Sequence, residues 1–203
     1  MLFRSGVGEH GLFAGLTNLS AVPPPPGAAT RGELPHLALD AADLEAGARA
    51  VELAVAQKRY GGFQLVLVSA ERMLVLRYQG TRLERIEWRE DVLVLTNEHA
   101  PGALRPRGLE VALAPAADPA AQLEMLRSLL LDRGEGGGHP ALKQGVGYGT
   151  VSASLIAIPA GPQQPLLWRY AAGSPDKAPF QSYGNLQRRL FDRADLPSDR
   201  PGA

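Results

Sequence analysis

Four apolar segments follow one another between residues 63 and 96 with very little chain between them: 63–69, 73–78, 83–88 and 92–96. Each has the length and the β-branched or aliphatic character of a strand. The linkers are turn-like, Gln79-Gly80 and Arg89-Glu90-Asp91. A parallel crossover takes a dozen or more residues, so neighbours this close must pair as antiparallel hairpins. The segment 63–69 is apolar on both faces and is expected at the centre of its sheet. No other feature narrows the fold as far.

Around this meander the chain alternates strands with amphipathic helices. Leu12, Ala14 and Leu16 alternate with Phe13, Gly15 and Thr17 over a buried strand at 11–16. The run Val22-Pro23-Pro24-Pro25-Pro26-Gly27 offers no amide donor at four positions, so it reads as a polyproline-like surface loop. Asp40 is expected to cap a helix carrying Asp43 in its first turn. Leu44, Ala48, Val51 and Val55 form that helix's apolar stripe. It should end near Lys58, broken by Tyr60-Gly61-Gly62. Residues 99–117 read as an irregular excursion. Asp118-Pro119 opens a second helix with the cap and the proline in their favoured places. Leu123, Leu126 and Leu130 are its buried face, and Gly134 ends it. Further strands are expected at 148–159 and 166–170, with a short helix at 183–192 and a frayed tail at 193–203. The sum is an α+β fold, read as one domain over 1–203 with its core at about 6–192.

Lys plus Arg equals Asp plus Glu at 21 each. The balance argues against nucleic acid as the main partner, because phosphate contact needs a basic excess. No apolar run reaches the ~18 residues that cross a bilayer, and the start is too short in apolar residues for a secretory signal. A cytoplasmic location is the expectation. No cysteine is present, which removes disulfides, thiolate metal sites and thiol nucleophiles from these residues.

The residues that could carry chemistry are few. Asn18 and Asn97 each close a Leu-Thr-Asn ending, and two carboxamides in matching settings are candidates to polarise a carbonyl. The plain alternative is a pair of turn formers. Thr150, Ser152 and Ser154 lie at even spacing, so a continuous strand would project all three from one face. They would then line a polar cleft or face solvent. Arg31 could clamp a carboxylate or lie on the surface, and Glu98 could move a proton or stay solvated. The four histidines, His10, His36, His99 and His139, lack metal-ligand spacing, so no metal site is expected. The run Gly134 to Gly138 lacks the Lys-Ser or Lys-Thr of a phosphate cradle. No Gly-x-Ser-x-Gly elbow occurs, and no cofactor is indicated.

Taken in order, several motifs resemble the NRDE family, also known as the transport and Golgi organisation protein 2 family. They are Gly6-Val7-Gly8-Glu9-His10-Gly11-Leu12-Phe13-Ala14-Gly15-Leu16-Thr17-Asn18, Thr30-Arg31-Gly32-Glu33-Leu34, Tyr60-Gly61-Gly62-Phe63-Gln64-Leu65 and Tyr148-Gly149-Thr150-Val151-Ser152-Ala153-Ser154. Gly173-Ser174-Pro175, Pro179-Phe180 and Tyr183 are similar to its C-terminal pattern. The resemblance implies the αββα sandwich of antiparallel sheets found in N-terminal-nucleophile hydrolases, with the first strands missing. It also implies pocket residues at Asn18, Asn97, Thr150 and Ser152, and haem or lipid handling. This chain departs from the family in having no Met-Cys start and no Asn-Arg-Asp-Glu run. Val151 follows Gly149-Thr150, and Leu19 follows Thr17-Asn18, where arginine is common in the family. The resemblance therefore implies an N-terminally incomplete chain that binds a small apolar or amphipathic ligand without catalysing, and the high Ala, Arg and Pro usage separately points to a GC-rich bacterial genome. The alternative is an amide-bond hydrolase whose nucleophile segment lies upstream of Met1.

Overall fold

The structure, a computed structural model, describes residues 5–104, 118–134, 140–158 and 166–183. The chain divides into two compact units, Met1–Arg105 and Pro106–Ala203. Both combine helix with antiparallel sheet, so the α+β class holds.

The first unit is a five-stranded sheet in sequence order: β1 (Ser5–Val7), β2 (Phe13–Asn18), β3 (Phe63–Val68), β4 (Met73–Tyr78) and β5 (Leu83–Trp88). All neighbours are antiparallel, and β3 is central as its two-sided apolar character requires. Register follows the side-chain alternation. Ala14, Leu67 and Leu74 stand opposite one another on one face, as do Leu16, Leu65 and Leu76, then Asn18, Phe63 and Tyr78. Against this face pack α1 (Glu33–Leu39) and α2 (Leu44–Gln57), which contribute Leu34, Ala38, Ala48 and Val51 to the core. The other face carries three rows: Phe13, Val68, Met73 and Trp88; Gly15, Val66, Val75 and Ile86; and Thr17, Gln64, Arg77 and Glu84.

The helix expected from Asp40 is two helices. Asp40 adopts an αR conformation and closes α1, its amide donating to the His36 carbonyl at 3.0 Å. Asp43 is extended (φ −153°), and its Oδ1 accepts from the Ala46 amide at 2.8 Å, so Asp43 caps α2. Pro35 lies in the first turn of α1, where its missing N–H removes no helical bond. The end of α2 at Lys58 is as expected. Gly47 lets α2 approach α1, since a Cβ there would lie 2.9 Å from the Ala38 carbonyl oxygen.

The fourth expected strand, 92–96, does not form a ladder. Its carbonyls are used elsewhere. Val92 O accepts from Trp88 Nε1 at 3.1 Å, Val94 O from the Gly102 amide at 3.0 Å, and Thr96 O from Gln64 Nε2 at 2.8 Å.

The second unit contains α3 (Pro119–Leu130), capped by Asp118 as expected, and a three-stranded sheet in the order β10 (Gln181–Ser182), β9 (Leu167–Ala171), β8 (Ala153–Ala157). Leu123 is the buried residue of α3, and Leu126 and Leu130 are half-buried. A separate hairpin pairs β6 (Gln144–Gly145) with β7 (Tyr148–Gly149). The expected strand at 148–159 is therefore broken at 150–152, where the Thr150 amide closes the hairpin on the Lys143 carbonyl at 2.9 Å. The helix expected at 183–192 and the tail at 193–203 lie outside the described residues, apart from Tyr183, which follows β10. Among the described residues no helix is long and apolar enough to cross a membrane.

An ion-pair network joins α2 to the meander. Arg72 holds Glu87 through two bonds of 2.9 and 2.8 Å and also reaches Glu45, which Arg85 contacts as well. The Arg85 and Arg72 guanidiniums hold the Glu45 carboxyl below its ordinary value of 4.5. Arg72 does the same for Glu87. At the start of α1 the Tyr60 hydroxyl, then Lys58, lowers Glu33 against the opposing effect of burial. Each carboxylate titrates lower in the folded than in the unfolded chain. Its contribution is complete above the ordinary value and disappears as pH falls through the lowered one. The thermal midpoint is expected to hold from neutral pH to about 5 and to fall below about 4.5. Added salt should narrow the difference, because the pairs are solvent-facing. A midpoint unchanged down to about pH 3 would show that the network contributes nothing.

Candidate functional site

Two of the expected site segments meet in the first unit. The Ser20 amide donates to the Asn97 carbonyl at 2.9 Å, and Thr17 Oγ1 lies 3.5 Å from the Thr96 carbonyl oxygen. The two Leu-Thr-Asn endings thus lie together, joined by backbone carbonyls rather than by their carboxamides. Asn18 ends β2 on the helix-covered face, half-buried and opposite Phe63. Asn97 is exposed in a turn, not at a strand end, so it does not share a strand face with Leu93 and Leu95.

That turn is built by Thr96. Its Oγ1 accepts from the His99 amide at 3.1 Å and the Glu98 amide at 3.4 Å, and lies 3.0 Å from His99 Nδ1. Glu98 is exposed. The turn is pinned to the sheet by Gln64, a fully buried side chain whose Nε2 donates to the carbonyls of Thr96 (2.8 Å) and His99 (3.1 Å). Two carbonyl acceptors on one side fix the amide orientation and leave Oε1 pointing the other way. Gln64 Oε1 is buried and has no hydrogen-bond partner among the described residues. Arg77, directly opposite on β4, is half-buried, and its Nε is likewise buried and unpartnered among the described residues. Glu84 faces Arg77 across the next ladder, yet among the described residues no ion pair joins Arg77 to a carboxylate. An unmet acceptor and an unmet cationic donor therefore stand side by side on a sheet face that also carries Val66, Val75 and Ile86. Neither residue stands out in the sequence as a site candidate, although Gln64 lies within the 60–65 motif. Their signal is a polar side chain at the matching end of two otherwise apolar strands, legible only once register is known.

Arg31 is half-buried and donates from Nη1 to the Gly62 carbonyl at 2.8 Å. It fastens the loop before α1 to the start of β3. In the second unit Thr150 Oγ1 accepts from the Lys143 amide at 3.0 Å. Ser152 and Ser154 are exposed, and Ser154 alone of the three hydroxyls lies on β8. Two clefts fall within single units. One of about 330 Å³ lies among His10, Leu12, Asp43, Glu45, Ser69 and Arg72 in the first unit. One of about 520 Å³ lies between α3 and β8 in the second, walled by Pro119, Leu123, Leu126 and Ile156. Neither is lined by Asn18, Asn97, Thr150 or Ser152. Among the described residues no cluster of three or more His, Cys, Asp or Glu could hold a metal ion.

The family model for transport and Golgi organisation 2 matches residues 5–106. The chain belongs to that family. The resemblance drawn from the motifs at 6–18, 30–34 and 60–65 is borne out over these residues. The matched stretch is nearly coextensive with the first unit, and so takes in the Thr17–Gln64–Arg77 row and the 96–99 turn. The motifs at 148–154 and 173–183 lie beyond it. No curated protein matches the chain.

Proposed function

We propose that this transport and Golgi organisation 2 family member works by holding a small amphipathic molecule, without a nucleophile of its own. The observation that carries the reading is the pair of buried polar atoms unmet among the described residues, Gln64 Oε1 and Arg77 Nε, on a sheet face that also carries the apolar row Val66, Val75 and Ile86. Binding sites combine an apolar lining with a few convergent polar groups, and buried polar atoms without partners are otherwise costly. Haem or an acyl compound is the ligand class that family resemblance adds. Thiol chemistry would need a group from outside these 203 residues, which contain no cysteine. In this reading Asn97 borders the pair through the 96–99 turn and Arg31 braces the start of β3, while Asn18 lies on the other face of the sheet and Thr150 and Ser152 belong to the second unit.

Titration of the chain with haem and with medium-chain acyl compounds, followed by tryptophan emission and by calorimetry, tests the proposal. Trp88 lies on the same sheet face and should report occupancy. Saturable binding of at least one class is expected. Absence of saturable binding by both would overturn the reading.

A further inference from the structure

Five large apolar side chains stand exposed among the described residues, and three of them fall within 146–151. Val146 is fully exposed, Tyr148 is 70% exposed and Val151 81%. Single exposed apolar residues are ordinary, whereas a cluster marks a contact surface. We propose that the β6–β7 hairpin is a peripheral membrane anchor that sets Val146, Tyr148 and Val151 into the surface of an anionic bilayer. The anchor lies in the second unit and needs nothing from the ligand proposed for the first. Val146-Gly147 joins the two strands, with Gly147 at φ +78°, so Val146 stands at the tip. Gln144 pairs with Gly149, and Gly145 with Tyr148. Neighbouring positions point to opposite faces, so Gln144 and Tyr148 lie on different sides of the hairpin. The Gln144 side is tied down. Its Oε1 accepts from Arg133 Nη1 at 2.7 Å, and its Nε2 donates to Asp176 Oδ2 at 3.1 Å. The Tyr148 side is thereby turned outward. The Tyr148 ring lies over Gly145, where a Cβ would stand 2.1 Å from it. The base is closed by the Lys143 amide, which donates to Thr150 Oγ1 at 3.0 Å. A hairpin fixed in this way loses little freedom on insertion.

The shape and the charge of this region select lipid. A stable protein partner covers a broad patch of about 800 Å² on each side, whereas a fluid bilayer surface closes around a narrow projection. Tyrosine suits the level of the head groups, with its ring in apolar surroundings and its hydroxyl hydrated. Lys143 precedes β6, and Lys177 follows the Asp176 that holds Gln144. Both lysines are exposed, and among the described residues neither is paired with a carboxylate. Asp176 is already answered by Arg133 at 2.7 Å. The positive charge left over beside the apolar tip matches acidic head groups.

The chain has no cysteine, so Val146→Cys offers a single site for an environment-sensitive fluorophore. Leu53→Cys, at an exposed position of α2, is the control. Vesicles of equal parts phosphatidylcholine and phosphatidylserine are expected to shift emission at 146 to the blue. Lipids carrying a nitroxide on the acyl chain should quench it, and the label at 53 should respond to neither. In sedimentation with the same vesicles, Tyr148→Ser combined with Val151→Ser should weaken binding of the full chain about tenfold or more. Lys143→Gln and Lys177→Gln should each weaken it about fivefold, and added salt should weaken it further. Vesicles of phosphatidylcholine alone should bind less. No blue shift at 146 in the presence of the mixed vesicles would overturn the anchor, and an equal response at 53 would overturn its location. Equal binding to both kinds of vesicle would overturn the role given to the lysines. A blue shift that grows with protein concentration in the absence of vesicles would assign the hairpin to a second copy of the chain instead.

Discussion

Phe63→Ala is expected to destabilise the fold by about 3–5 kcal/mol, the range for emptying a buried phenylalanine site. Phe63 is fully buried at the start of the central strand. Its ring meets Tyr60 edge-on at 6.4 Å between centroids and Tyr78 at 5.5 Å, so truncation removes aromatic contacts as well as apolar burial. Tyr60 also holds Glu33 through its hydroxyl, so a shifted ring would loosen the start of α1. Urea unfolding should show the loss as a lower midpoint. Leu53→Ala is the control. Leu53 is 62% exposed on α2, and surface changes of this kind usually stay within about 0.5 kcal/mol. A cost for Phe63→Ala no greater than that of the control would contradict the packing described for β3.

Gly62→Ala is the second substitution expected to have a large effect, about 1–3 kcal/mol from overpacking. A Cβ at Gly62 would lie 2.6 Å from Val22 Cβ and 3.1 Å from Leu19 Cβ. Those atoms are fixed to backbone and cannot swing away. The same residue donates its amide to Val22 O at 2.8 Å, and its carbonyl accepts from Leu19 N at 2.9 Å and from Arg31 Nη1. An alanine there would push apart three segments at once. Unfolding by urea, with hydrogen exchange at Leu19 and Gly62, should register both the cost and its location. Wild-type stability with unchanged protection would show that the segments have room to give.

What could be read from sequence alone was whatever depends on local spacing. The bounds of β4 and β5, the centrality of β3, the cap and proline at the head of α3 and the end of α2 at Lys58 all follow from patterns within a few residues. What escaped depends on choices made elsewhere in the chain. Asp40 and Asp43 are both good caps, and only the presence of α1 decides between them. The segment 92–96 has strand composition, but side chains and turns far away in sequence take its carbonyls. Thr150 has its hydroxyl and amide committed to a hairpin that no short motif announced. The site shows the same division. The Leu-Thr-Asn endings could be picked out as strings, and the chain does bring them together. Gln64 and Arg77 look unremarkable as strings. They acquire meaning only because the β3–β4 register sets one opposite the other and nothing in the described structure completes them.

The order of strands also has a kinetic consequence. β3, β4 and β5 join by tight turns, so their contacts close short loops, which form quickly. β2 must wait for the proline loop and both helices to fold back before it reaches β3. The meander should therefore be largely organised at the rate-limiting step, with β2 docking late. Substitutions at Leu74 or Leu76 would slow refolding, whereas those at Ala14 or Leu16 would chiefly hasten unfolding.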